Sequence, residues 1–450
     1  MEHSVNLSRL GAKPPVFRIN LSLPPKERYV SIATLYRDRM RSLRGMFDDL
    51  VTSLSPRIPV NYVHKIAWLC LHRLYTSEET QELRGISQAT DIDMYLLICL
   101  NTVLDLLMGC TSGGVRVKSK SSETKMMHFR TLDWGMDPLR DLIVQLDFVR
   151  DSDSENVLAT SVTYVGFVGV LTGVRKDLSA SLNFRPVHDT TRNFAFYANH
   201  LFVLLGLRQS ISSLLRQCIL LPPTQNNERS KFSTLADIVA NVPHMATTAA
   251  YLIFSNGSTT VTMEKDHRTA VVRSSSSFIV TTNHDQGSDS MSPEAVADAK
   301  RQNHFGLTLV ASDGQDITDI IEDSNERHDC IQMRWNREVR EQNELANPVS
   351  ITKESLSFAE PPGSRTSLRL RKRREEEERL EEAKRKQIVS LDLDDDSDIT
   401  ITKSQLVNWL TTFPVLNETT HYATIMDPSL GKLAWVRRYD TSEWDDDDEN

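Results

Sequence analysis

The sequence predicts an α+β fold in which a mainly helical N-terminal segment precedes a core of antiparallel strands. Three observations carry this. Up to about residue 108, apolar residues recur at steps of three and four, the spacing of one helix face. From Cys110 the period drops to two over successive segments, as strands require. After a long polar stretch the strand signal returns at His421–Met426 and Lys432–Arg438, behind a helix expected over Thr402–Thr411.

In order along the chain, Pro14 to Pro25 reads as extended, because Val16-Phe17-Arg18-Ile19-Asn20-Leu21 alternates apolar and polar between prolines. Glu27 to Leu54 reads as a helix with Tyr36, Met40, Leu43, Phe47, Leu50 and Leu54 on one face. Arg37, Arg39, Arg41 and Arg44 surround that stripe, which suits either packing on its own domain or lying on a membrane surface. Val60 to Tyr75 is a second helical segment, its His64 and His72 read as packing or surface residues. Asp91 to Met108 is a third, with Asp91 or Asp93 as cap and a leucine-rich body. It is expected to deliver Gly109 at a helix end.

Strands are expected at Met126–Thr131, Leu142–Val149, Val157–Tyr164, Phe167–Thr172 and Leu178–Phe184. Gly166, Gly169 and Gly173 punctuate them, marking either a bulge or the close approach of a ligand chain. Helices follow at Asn193–Gln217 and Phe232–Val242, then strands at Ala250–Phe254, Thr259–Glu264 and Val271–Thr282. The run Arg365 to Lys386 alternates blocks of Arg and Glu. It reads as a solvated helix or a disordered insertion, with a nuclear-import patch as the sharper alternative. Asp392–Asp398 and Asp445–Glu449 are acidic edges.

Chemistry concentrates where the period changes. If the Gly109–Cys110 bond is cut, Cys110 becomes an N-terminus with thiol and α-amine on one residue. An α-amine, with an ordinary pKa near ~8, can serve as base for its own thiol. Gly109 leaves the carbonyl side unencumbered and permits unusual backbone angles. Arg130 and Asp133, three residues apart, then divide two jobs. The carboxylate holds the α-amine; the guanidinium favours thiolate and orients the scissile carbonyl. A side-chain amide such as that of Asn283 can be aimed at a tetrahedral oxyanion, where losing a donor typically costs ~10²–10³ in turnover. On residues alone, an inert buried thiol is the commoner reading of Cys110, and a turn residue that of Asn183 and Asn283.

The order of motifs narrows this. Glu82-Leu83-Arg84-Gly85-Ile86 is followed by Cys110-Thr111-Ser112, Arg130-Thr131-Leu132-Asp133 and Tyr164 to Gly173. Thr282-Asn283-His284-Asp285 and Phe413-Pro414-Val415-Leu416-Asn417 come after. The series resembles the acid ceramidase and N-acylethanolamine-hydrolysing acid amidase family, N-terminal-nucleophile hydrolases of the wider choloylglycine hydrolase group. The resemblance covers residues 15–285, 322–345 and 400–440. It implies an αββα N-terminal-nucleophile sandwich of two antiparallel sheets. It divides the chain into an alpha-subunit-like helical segment 1–109, a catalytic core 110–285, an insertion 286–321 and a core-associated helix 322–345. A charged insertion 346–399, core-completing elements 400–440 and an acidic tail 441–450 follow.

The implied activity is hydrolysis of N-acylated lipids, ceramide first and N-acylethanolamine second, through self-cleavage after Gly109 and a Cys110 thioester. The resemblance makes Asn283 the preferred oxyanion donor, with Asn183 a second, and assigns Asp133 to the α-amine and Arg130 to the thiol. Arg327 keeps one of the family's two arginines, Glu326 standing for the other; it reads as a site-wall residue or a helix-surface arginine. Tyr164, Gly166 and Gly169 are assigned to the acyl chain, although core packing explains that stretch equally well. One departure is plain: the family motif carries Glu where Phe184 stands. Two rivals remain, a same-fold amidase for soluble acyl amides and a non-catalytic descendant. No metal or cofactor is expected.

A net charge of −9 gives no electrostatic case for nucleic acid. Five cysteines without a CxxC pair suggest neither a disulfide framework nor a zinc site. Met1 to Lys13 lacks the apolar core of a secretory signal, so the expectation is a soluble intracellular protein, with lysosome or vacuole as the family alternative. The expected partners are an N-acyl lipid and peripherally a membrane, with the cleaved chains staying associated.

Overall fold

A computed structural model describes residues 11–54, 59–103, 109–119, 123–151, 156–186, 193–221, 230–286, 317–346, 389–392 and 399–440. One sheet has nine strands. It comprises β1 (Val16–Asn20), β4 (Ile143–Val149), β5 (Ala159–Tyr164), β6 (Thr172–Arg175), β7 (Leu178–Phe184), β8 (Ala250–Ser255), β9 (Thr260–Lys265), β10 (Ala270–Ser275) and β12 (Val389–Asp392), in that spatial order. The other has five: β11 (Phe278–Thr281), β2 (Gly109–Lys118), β3 (Thr124–Asp133), β13 (Thr420–Asp427) and β14 (Lys432–Arg438). Pairing is antiparallel except at the edges of the larger sheet, where β1 joins β4 and β12 joins β10 in parallel. Both parallel partners arrive by long connections, which parallel pairing needs.

The sheets pack face to face, β2 across β7 and β3 across β8. Helix α8 (Ile211–Ile219) covers the outer side of β6 and β7. On the other outer side, α10 (Ile317–Ala346) and α11 (Lys403–Leu410) enclose a second apolar cluster, in which Trp335 stacks on Phe278 at 4.9 Å. The result is a helix–sheet–sheet–helix sandwich of the α+β class.

Several elements differ from the sequence expectation. The helix expected over 27–54 is three, α1 (Val30–Leu35), α2 (Arg37–Met40) and α3 (Ser42–Leu54). Its stripe still faces inward, with Tyr36, Met40 and Leu43 buried. Next come α4 (Val60–Cys70), α5 (Ser77–Thr90) and α6 (Met94–Val103). Helix α5 carries few apolar residues and was not anticipated; Thr76 caps it, and buried Glu79 and Glu82 seat it. Gly85 is required there, because an added Cβ would lie 1.8 Å from the Lys26 carbonyl oxygen. Gly109 opens β2; the expected helix end before it, 104–108, lies outside the described residues.

The strand expected at Phe167–Thr172 is mainly a buried turn that starts at Gly166 (φ +95°), and pairing resumes at Thr172. Its side chains are buried all round, which mimics a core strand in sequence. The helix expected over 193–217 breaks at Gly206 (φ +64°) into α7 (Asn193–Leu204) and α8. Helix α9 (Leu235–Asn241) carries a Thr234–Asp237 capping box. The run 271–282 is divided between the two sheets: β10 ends at Ser275, whose Oγ accepts from the Ser277 and Phe278 amides at 3.1 Å each, and β11 begins in the opposite sheet. This crossing delivers Asn283 to Cys110. The charged runs at 365–386, 393–398 and 441–450 lie outside the described residues.

Candidate active site

Alternation along β2 decides which side of the sheet each group meets. The register pairs Gly109 with Asp133, Cys110 with Leu132 and Ser112 with Arg130. Cys110, Ser112 and Arg130 therefore share the face between the sheets, while Thr111 and Asp133 share the face under α10. Arg130 Nη2 donates to Cys110 Sγ at 3.2 Å and to the Leu182 carbonyl at 2.6 Å. Its Nη1 donates to the Leu171 carbonyl and to Thr172 Oγ1. Thiol and guanidinium are both fully buried. Burial pushes the Cys110 thiol up, and the adjacent Arg130 cation pulls it back.

On the other face, Asp133 Oδ2 pairs with Arg327 Nη1 at 2.8 Å and Oδ1 accepts from Thr420 Oγ1 at 2.8 Å. Burial raises this carboxyl and Arg327 opposes the rise. Arg327 Nη2 continues the chain to Asn283 Oδ1 at 3.1 Å. The same oxygen accepts from the Cys110 backbone nitrogen at 2.8 Å. Asn283 Nδ2 donates to the Phe184 carbonyl at 2.8 Å, and its backbone nitrogen donates to Ser324 Oγ at 2.7 Å. Two donors face Oδ1 and one acceptor faces Nδ2, so the amide has one workable orientation. A cleft of about 180 Å³ reaches this network between Gly109, Asp133, Trp134, Phe184, Arg327 and Phe413. Gly109 forms part of its wall, whereas the Cys110 side chain points to the other face of β2 and does not line it.

A family model, the beta subunit of N-acylethanolamine-hydrolyzing acid amidase, matches residues 12–75. N-acylethanolamine-hydrolyzing acid amidase of Caenorhabditis elegans is 27% identical over 186 residues, 38% of this chain and 48% of that protein. Acid ceramidase of Bos taurus is 25% identical over 186 residues, 38% of this chain and 45% of that protein. The chain is related to the acid ceramidases and N-acylethanolamine-hydrolysing acid amidases. It spans about half the length of these curated relatives. A solved Caenorhabditis elegans N-acylethanolamine-hydrolyzing acid amidase ortholog aligns at TM-score 0.38 and 17% identity, over 71% of this chain and 94% of that one.

Of the residues that the resemblance to these amidases and ceramidases singled out, Cys110, Arg130, Asp133, Asn283 and Arg327 form the connected network just described. Arg327 is buried within it rather than lying on the helix surface. Asn183 is adjacent but committed: Oδ1 accepts from Ser112 Oγ at 2.7 Å, and Nδ2 donates to the Thr281 and Thr282 carbonyls at 3.0 and 3.2 Å. Tyr164 donates to, or accepts from, His421 Nδ1 at 2.8 Å inside the core. Gly166 packs on Met40 and Leu100, and Gly169 on Ser212; none of the three lines the cleft.

Sequence reasoning missed Thr420 and Ser324, which fix Asp133 and Asn283. Their partners lie 287 and 41 residues away along the chain, so only strand register and helix docking bring them together. It also missed Trp134 as a cleft residue, though it directly follows Asp133.

Proposed function

We propose that this chain is an amide hydrolase for N-acylated lipids, working through a self-processed N-terminal cysteine at residue 110. The observation that carries the reading is a single residue held at both ends: the Cys110 nitrogen lies 2.8 Å from Asn283 Oδ1, while its sulfur lies 3.2 Å from Arg130 Nη2. In self-cleavage, Sγ adds to the Gly109 carbonyl and the Gly109–Cys110 C–N bond breaks. The departing nitrogen takes the thiol proton. Water then hydrolyses the thioester, leaving a Gly109 carboxylate and a free Cys110 amine.

In turnover that amine keeps the place of the former peptide nitrogen, with Asn283 Oδ1 as its acceptor. The nearby Arg327 and Arg130 cations disfavour a charged amine, so it is available to take the thiol proton. Sulfur attacks the substrate amide carbonyl, the amine product leaves with the returned proton, and water releases the acid. Asp133 acts through Arg327 and Thr420, its two partners, rather than by direct contact with the amine. Asn283 is assigned first to the amine; donation by its Nδ2 to an oxyanion requires release from the Phe184 carbonyl.

Trp134, Phe184 and Phe413 give the cleft an apolar side that suits an acyl chain, opposite a polar side with Asp323, Glu326 and Glu418, and Phe184 replaces a carboxylate of the family pattern with an aromatic wall. The names of the relatives support an N-acyl amide as substrate, and within that class the proposal takes ceramide first and an N-acylethanolamine second. Peripheral membrane contact is assigned to α4, which exposes Tyr62, Ile66, Trp68 and Leu69 beside Lys65. Among the described residues no helix is long and apolar enough to cross a membrane. Intact-mass analysis is the first test: the wild-type chain splits after Gly109 and Cys110→Ala stays whole. The purified protein is then assayed on ceramide, N-acylethanolamines and N-acyl amino acids. A chain that stays whole and releases no acid overturns the reading.

A further inference from the structure

The Asn283–Phe184 contact joins two different sheets, and something must hold their ends in place. Phe184 closes β7 of the larger sheet, and Asn283 lies just beyond β11 of the smaller one. Immediately after Phe184 comes Arg185, and two residues after Asn283 comes Asp285. These two side chains meet in a bidentate pair, Nε to Oδ1 at 2.8 Å and Nη2 to Oδ2 at 2.7 Å. The Arg185 side chain is 6% exposed. Its Nη1 lies 2.7 Å from Asp266 Oδ1. Tyr251 donates its hydroxyl to Asp285 Oδ1 at 2.8 Å, and its ring lies under the guanidinium, 5.7 Å from Cζ to the centroid. Bidentate, desolvated arginine–carboxylate pairs fix geometry as well as adding energy.

We infer that Arg185 and Asp285 are positioning residues, a clamp that keeps Asn283 seated on the Phe184 carbonyl so that its Oδ1 stays on the Cys110 nitrogen. The catalytic consequence rests on the amidase reading above; the geometry does not. Asn183, bonded to the Thr281 and Thr282 carbonyls, fixes the same two chain ends from the upstream side. The contact is thus bracketed within two residues on each side, and a shift of about 1 Å between the sheets removes it. Misplacement on that scale costs an enzyme on the order of 10²-fold.

The geometry is tested first in the full-length, uncleavable Cys110→Ala chain, by hydrogen exchange at the residue 110 amide. Asp285→Asn and Arg185→Lys should speed that exchange by about tenfold or more, because the bond to Asn283 protects it. Asp427→Asn is the control; it breaks the Lys125–Asp427 ion pair (2.7 Å) at the far end of β3 and β13. It should lower Tm and leave the residue 110 amide protected. In the processing-competent chain, Asp285→Asn should reduce kcat roughly 10–100-fold with KM changed less than about twofold, whereas Asp427→Asn leaves both unchanged. The clamp is overturned if Asp285→Asn and Arg185→Lys lower Tm as the control does while the residue 110 amide stays protected. If the wild-type chain cleaves no amide bond at all, the functional reading fails, and the exchange result still decides the clamp.

Discussion

Arg130 is a buried cation in contact with a buried thiol, and both of its terminal nitrogens are also bonded to oxygens. Taking away the charge removes the strongest pull that opposes burial at the sulfur. Arg130→Met should therefore raise the pH at which Cys110 alkylates, measured by mass spectrometry on the processed chain, and lower acid release by on the order of 10²-fold or more. Arg130→Lys keeps the charge but not the planar fork, and should recover only part of the loss. Asp133 and Arg327 give a sharper test, because each is buried and each is the other's counter-charge. Asp133→Asn strands the Arg327 cation and should destabilise the fold by about 3–5 kcal/mol. Asp133→Asn combined with Arg327→Met should be more stable than Asp133→Asn alone in urea unfolding, yet inactive. A double variant no more stable than the single would mean that the two groups are not coupled.

At the scale of elements, the N-terminal helices join the core through apolar residues such as Ile32, Met40, Leu83 and Leu97, and α5 adds a buried charge contact. Glu82 of α5 receives both terminal nitrogens of Arg216 from α8, at 2.6 and 2.7 Å, and Arg28 at 3.0 Å. Arg216 also donates to the Val168 carbonyl at 2.6 Å. If the chain is cut after Gly109 as proposed, these contacts join two separate chains, and Arg216→Met, which strands buried Glu82, should lower the Tm of the processed protein. Sequence periodicity could not reveal this, since α5 has little apolar content and its anchor is an ion pair formed 134 residues apart. The strands were legible because one buried face imposes alternation; the crossing from β10 to β11 was not, because the serine run 274–277 breaks the composition without saying that the chain changes sheets. Cys110, Arg130 and Asp133 were singled out by the order of motifs in the family resemblance, and the structure places them on two neighbouring strands, β2 and β3. The α4 face was not, because an apolar helix stripe in sequence normally means burial, yet Ile66 and Leu69 are exposed by 61% and 66%. Ile66→Glu with Leu69→Glu should weaken sedimentation with lipid vesicles at least about tenfold while leaving hydrolysis of a short-chain soluble amide intact.

At the scale of the whole molecule, pH sets two groups of buried side chains against each other. His128, fully buried between the Ser179 and Ser181 hydroxyls, is pushed down to about 3 by burial and by Arg130. His284 is pushed down to about 4 by burial and by His328, and His421 also falls well below the ordinary range through burial. These imidazoles stay neutral in the fold, whereas in the unfolded chain they take up protons near pH ~6.5. The unfolded state then binds more protons, so their contribution is complete above about pH 6.5 and is lost progressively as pH falls toward their folded values. The carboxyls of Glu79 and Glu264 run the other way, because burial raises them and acid relieves their ionised cost. For His128 alone the linkage is about 2 kcal/mol between pH 6.5 and pH 5. The wild-type chain should unfold at lower urea concentration at pH 5 than at pH 7, and His128→Gln should reduce that difference. A protein built this way tolerates acid only to the extent that its raised carboxyls offset its neutral imidazoles. A midpoint unchanged from pH 7 to pH 5 in both the wild type and His128→Gln would show that His128 is not held neutral between its two serines.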